Sequence, residues 1–192
     1  MKPILIIQTS PYRTASTLLV NALYGLIPTL SDKRIVGEWE KPPLSEDIQI
    51  WKCHELNIDS LIALYENDYN VFFVCSERKQ LDKMIDPRYK TYPNVCVFEY
   101  RELNETPSYS VPNIIQCIYN KISTMIHIEM NVESGIQRVI EMNKRYEDIK
   151  HNPFNYTDSF YQIHGSHRER NKIAQPKQSN PLKNKIRYVN KY

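Results

Sequence analysis

The sequence predicts an α/β fold, a parallel sheet flanked by helices, from two observations. Short apolar runs rich in β-branched residues recur through the first half of the chain, each about one strand long. The gaps between them carry helical rather than alternating periodicity. Strand and helix taking turns is the pattern of parallel strands joined by crossover helices, which cover the faces of the sheet. With 192 residues, 41% apolar and 11% aromatic, the chain is long enough to bury one core and too apolar to stay unfolded over most of its length.

Each element can be justified in turn. Ile4 to Thr9 is the first strand, and Thr14 to Ile27 follows as a helix whose Leu18, Leu19, Ala22, Leu23 and Leu26 form an apolar stripe. Ile48 to Cys53, Val71 to Cys75 and Val95 to Tyr100 read as further strands, with short helices expected over Ile58 to Tyr65 and Glu77 to Ile85. After Pro112 the pattern changes to two longer helical stretches, Asn113 to Met130 and Val132 to Lys150, expected to cover the sheet. Asn152 to Tyr156 reads as a turn. From His164 the chain is polar and basic, and Pro176 and Pro181 exclude a long helix there. The division is therefore an α/β domain over residues 1–163 and a basic C-terminal tail over 164–192.

The formal charge of +3 is unevenly spread. Lys150 to Tyr192 holds 9 Lys/Arg against 2 Asp/Glu, which leaves 16 against 20 in the body from the totals of 25 and 22. A basic tail beside an acidic body suits an anionic partner such as a nucleotide, or simply a solvated appendage. Cys53, Cys75, Cys96 and Cys117 lie far apart with no CxxC spacing and read as buried free thiols of a reducing compartment. No secretory leader opens the chain and no apolar run approaches about 18 residues, so a cytoplasmic location without a membrane partner is expected.

The segment Ile4-Leu-Ile-Ile-Gln-Thr-Ser-Pro-Tyr-Arg-Thr-Ala-Ser-Thr places a hydroxyl-rich turn with one Arg between a buried strand and an amphipathic helix. An anion fits there, because the first N–H groups of a helix lack intrahelical partners and the dipole is positive at that end. In open parallel sheets, ligands also gather outside the carboxyl ends of the strands. The plainer alternative is that Ser10 and Thr14 cap the helix and Arg13 is a surface cation. A Walker A loop, GxxxxGK[ST], is absent, since the first glycine is Gly25.

Tyr12-Arg13-Thr14-Ala15-Ser16-Thr17 resembles the 5′-phosphosulfate loop of the sulfotransferases, with Ala15 where that family has Gly. Lys52-Cys53-His54 resembles the family's Lys-Thr-His triplet at the next strand's end. The resemblance implies a P-loop NTPase-like sulfotransferase fold and 3′-phosphoadenosine-5′-phosphosulfate (PAPS) as donor, with no metal required. It implies that Tyr12, Arg13, Thr14, Ala15, Ser16 and Thr17 hold the donor, that His54 is the general base, and that Lys52 and Arg13 stabilise charge on the transferring group. The residue types suit that chemistry independently, because His titrates near neutrality and fixed cations stabilise a transferring anionic group.

The family's Arg-Asp-Pro-Arg element for the 3′-phosphate maps onto Cys75-Ser-Glu-Arg78, where only Arg78 survives, and Lys83 takes the place of a later Ser. Arg78, Lys79 or Lys83 would then reach the 3′-phosphate, with Arg168 and Arg170 after Gly165 completing the site. His164 and His167 read as parts of a turn rather than as metal ligands. The expected acceptor is a small molecule or glycan offering a hydroxyl or an amine, and nucleic acid is not expected as a partner. Two other classes stay open: a divergent nucleotide or small-molecule kinase, which should carry a Walker Lys and a Mg²⁺-holding acid, and a degenerate, non-catalytic nucleotide-binding protein.

Overall fold

The computed structural model describes residues 2–27, 48–104 and 110–151. Four strands, β1 (Ile4–Thr9), β2 (Gln49–Cys53), β3 (Asn70–Glu77) and β4 (Val95–Glu99), form a parallel sheet in the order β2-β1-β3-β4. Leu5 pairs with Gln49, Ile4 with Asn70, and Phe73 with Val95. The helices are α1 (Ser16–Leu26), α2 (Ile58–Tyr65), α3 (Tyr100–Asn104), α4 (Val111–Ser123) and α5 (Val132–His151).

The strand order dictates which face each helix covers. The chain leaves β1 for β2 on one side and then crosses back to β3 on the other; right-handed crossovers in opposite directions put α1 and α2 on opposite faces. Alternate strand side chains divide accordingly. Ile6, Ile50, Val74 and Phe98 pack with α1, α4 and α5, whereas Leu5, Ile7, Trp51, Phe73 and Cys75 pack with α2 and with Ile85 and Tyr89. Leu19, Leu23 and Leu26 of the α1 stripe are fully buried, each contributing about 1.5–3 kcal/mol of apolar burial.

At the α1–α5 contact two glycines meet. A Cβ on Gly25 would lie 2.7 Å from the Cα of Gly135 and 2.9 Å from the carbonyl oxygen of Ser134. Beside them the Arg138 guanidinium lies 5.4 Å from the Tyr24 ring, and Tyr24 donates to the Ile50 carbonyl at 3.0 Å. Asn131 connects the same helices: its N–H donates to the Leu26 carbonyl at 2.7 Å, and its side chain accepts from Ser134 N–H at 2.9 Å.

Two expected helices are corrected. Glu77 to Ile85 is not a helix: β3 runs on to Glu77, and a 3-10 turn at Lys79–Leu81 leads through Asp82, at φ 51, to an antiparallel bridge between Arg78 and Lys83. The apolar spacing had nothing to bury, since Leu81 is exposed and Ile85 alone of that stretch enters the core. Asn113 to Met130 is helical only to Ser123. The N–H groups of Met125 and Ile126 both turn back to the Ile122 carbonyl, and the apolar residues beyond pack as irregular chain. The turn at Asn152 and the tail lie outside the described residues.

All four cysteines are free thiols, Cys53 and Cys75 buried, Cys96 and Cys117 half-buried. Among the described residues no helix is long and apolar enough to cross a membrane.

Candidate functional site

Because the strands are parallel, their carboxyl ends share one rim, where Ser10, His54, Arg78 and Tyr100 follow the last residues of β1, β2, β3 and β4. The topological switch point lies between β1 and β3, the position at which open parallel sheets bind ligands.

The loop from β1 into α1 has an unusual backbone. Arg13 at φ 71 and Ala15 at φ 69 are left-handed, while Thr14 and Ser16 are not. Alternation of this kind turns successive peptide N–H groups to one side and makes a concave anion nest, as in phosphate-binding loops. Ala15 is the N-cap of α1 and makes no side-chain cap bond, so neither Ser10 nor Thr14 caps the helix. The first turn holds no acidic residue, leaving the positive end of the helix uncompensated there.

Lys52 comes up from the strand beside this loop. It faces α1 because it alternates with Ile50, it is 3% exposed, and its Nζ lies 3.4 Å from Thr17 Oγ1 in the first turn. A buried ammonium beside the positive end of a helix is electrostatically costly, and an anion between them lowers that cost. Arg13 is exposed on the loop itself, and Ser16 is buried at its base.

His54 anchors the start of the loop. Its Nδ1 lies 2.6 Å from the Ser10 carbonyl oxygen, so Nδ1 carries the hydrogen and Nε2 is the basic nitrogen of the neutral ring. Tyr12, 49% exposed, lies over the imidazole with ring centroids 3.9 Å apart. The Thr9 hydroxyl donates to the Glu55 carbonyl, tying the ends of β1 and β2 together.

Three buried hydroxyls fix the loop from behind. Ser76, near the end of β3, lies 3.0 Å from Ser10 Oγ and 2.9 Å from Thr14 Oγ1, and its N–H donates to Ser10 Oγ at 2.8 Å. Thr14 donates to the Pro11 carbonyl at 2.7 Å, and Gln8 Nε2 is 2.8 Å from Ser10 Oγ. Sequence reading missed Ser76. A hydroxyl near the end of the strand beside β1 was the only signal.

The structure brings Tyr12, Arg13, Thr14, Ala15, Ser16, Thr17, Lys52 and His54 together around one loop. Arg78 and Lys83 are bridged to each other at the end of β3, and the Arg78 guanidinium stacks 3.9 Å from the Tyr100 ring centroid. Lys79 pairs with Glu99 at 2.8 Å, and this bond, with Arg101 at 2.7 Å, holds the Glu99 carboxyl below its usual range. Cys75 points into the core, where burial pushes its thiol well above the ordinary value. No side chain at that position reaches the rim. Gly165, Arg168 and Arg170 lie outside the described residues. Among the described residues no group of three or more His, Cys, Asp or Glu side chains is assembled that could hold a metal ion.

Comparison of the chain with protein-family models, with curated proteins and with solved structures finds no match.

Proposed function

We propose that the chain is a sulfotransferase that takes its sulfuryl group from PAPS and passes it to a hydroxyl or amine acceptor, such as that of a glycan. The observation that carries this reading is the nest at the start of α1 with Lys52 buried beneath its first turn. Backbone N–H groups of residues 13–17, the helix end, Arg13 and Lys52 all favour a bound 5′-phosphosulfate, and Arg78 and Lys83 at the β3 end favour a second phosphate. The donor supplies an activated sulfur whose bond to the bridging phosphate oxygen breaks as the acceptor's bond to sulfur forms.

The chain's own part is positioning and proton transfer. Lys52 holds the departing phosphate oxygen, Arg13 neutralises the sulfuryl oxygens, and His54 receives the acceptor's proton on Nε2, a buried nitrogen that opens to the acceptor when the Tyr12 ring lifts off the imidazole, while Nδ1–H stays on the Ser10 carbonyl. Free thiols throughout favour a reducing, cytoplasmic setting.

Calorimetric titration with adenosine 3′,5′-bisphosphate, ATP and ATP with Mg²⁺, together with transfer assays on an acceptor panel, tests the reading. Wild type binds the bisphosphate, and Arg13→Ala weakens it by the roughly 1.5–3 kcal/mol of a charge-assisted contact. His54→Ala still binds but turns over on the order of 10²–10⁴-fold more slowly. Binding of ATP alone would favour the kinase, and binding without transfer to any acceptor would leave a nucleotide-binding protein.

A further inference from the structure

Counting hydrogens in the hydroxyl cluster behind the loop gives one result. The Pro11 carbonyl can only accept, so the single hydroxyl hydrogen of Thr14 is spent on it. At the contact with Ser76, Thr14 must therefore accept, which spends the hydrogen of Ser76. Ser76 must then accept from Ser10. With its own hydrogen used, Ser10 accepts from Gln8 Nε2 and from the Ser76 N–H, which fills its two lone pairs. Only this order puts a hydrogen in every contact: Ser10 to Ser76 to Thr14 to the Pro11 carbonyl. Gln8, Ser10, Thr14 and Ser76 are all fully buried.

We propose that Ser76 is the positioning residue of the anion loop, the centre of a proton-ordered relay that holds Arg13 and Ala15 in their left-handed conformations, and that the Thr14 hydroxyl serves this relay instead of donating to the ligand. Non-glycine residues relax from positive φ unless their surroundings over-determine them. On the side of β3, Ser76 holds the loop at two points, Ser10 and Thr14. Thr14 then meets an anion with its backbone N–H, and no hydroxyl hydrogen of the three is left to bind one. Buried relays of this kind are all-or-none, because removing one member strands the partners on either side. The proposal rests on the loop's being the anion site, but the lock itself can be read without ligand.

The test uses Ser76→Ala, Thr14→Val, the double variant and Thr14→Ser in the full-length chain. NMR relaxation of the backbone amides over residues 12–16 reads the lock, and titration with adenosine 3′,5′-bisphosphate reads its consequence. Ser76→Ala and Thr14→Val are each expected to lower the order parameters of the loop from about 0.85 towards 0.6 while the β3 amides stay rigid. Each should weaken the bisphosphate about fivefold or more. The double variant loses no more than the weaker-binding single, because both break one relay, and Thr14→Ser restores wild-type behaviour. An unchanged loop in Ser76→Ala, or additive losses in the double variant, would overturn the proposal. If Ser76→Ala does not fold, Thr14→Val against Thr14→Ser decides by the same measurement. A loop that loosens as expected in a chain that never binds the bisphosphate keeps the lock and removes the donor reading; binding with no change in the loop does the reverse.

Discussion

Ala15 holds a conformation that side chains avoid, and its methyl group is the reason. At φ 69 a Cβ crowds the neighbouring carbonyl at a cost of about 1–2 kcal/mol, which glycine escapes. Part of that relief is offset by the apolar contact of the methyl with the core and by the greater freedom of glycine in the unfolded chain. Urea titration should therefore rank Ala15→Gly equal to wild type or up to about 1 kcal/mol more stable, and Ala15→Val at least about 2 kcal/mol less stable, since a β-branched residue at positive φ is a true outlier. A destabilised glycine variant would mean that the left-handed N-cap is unstrained. The places of Arg13, Lys52 and His54 could be read from the sequence, because Arg13 lies between a strand pattern and a helix pattern, and Lys52 and His54 stand where the second apolar run stops. Ser76 could not, since its role depends on three hydroxyls meeting across strands. Cys75 is the buried thiol its apolar run suggests, but its alignment with the first Arg of a 3′-phosphate element does not fit, because β3 continues to Glu77 and that position belongs to the core.

The first helix was legible because its apolar stripe is long, yet its closest contact carries no apolar signal at all. Gly25 and Gly135 let α1 and α5 touch backbone to backbone. Alanine ordinarily stabilises a helix over glycine by about 1 kcal/mol. Here Gly25→Ala is expected to cost roughly 1–3 kcal/mol in chemical denaturation, because the new methyl meets backbone atoms that cannot move without separating the helices. A gain in stability would show that the two helices are loosely apposed. The mistaken helix over Glu77 to Ile85 shows the limit of periodicity in short segments, where a few apolar residues satisfy a helical spacing by chance. A buried carboxylate settles that connection instead: Glu77, 2% exposed, pairs with Lys90 at 2.7 Å and ties it to the end of β3.

The core is full of weak acids kept neutral. Burial raises the Cys96 thiol from 9.0 to about 11, and raises Cys75, Cys117, Tyr24, Tyr65 and Tyr69 in the same direction. Above about pH 8 the unfolded chain gives up these protons while the folded chain keeps them, so the unfolded state binds fewer protons and stability falls as pH rises. Urea midpoints should hold level from pH 7 to about 8 and then drop, with Cys96 alone removing roughly 2 kcal/mol by pH 11; Cys96→Ala should make the drop shallower. A midpoint unchanged at pH 10.5 would contradict this reading. The sheet has a kinetic consequence as well. Among the described residues no strand pairs with one joined to it by a short turn: Leu5 must find Gln49, and Ile4 must find Asn70. Contacts this distant in sequence close loops before they gain any stabilisation, which makes folding slow. During synthesis β1 precedes β2, and its second neighbour β3 follows later still, so the central strand that launches the β1–α1 loop waits longest of the four for its full set of partners.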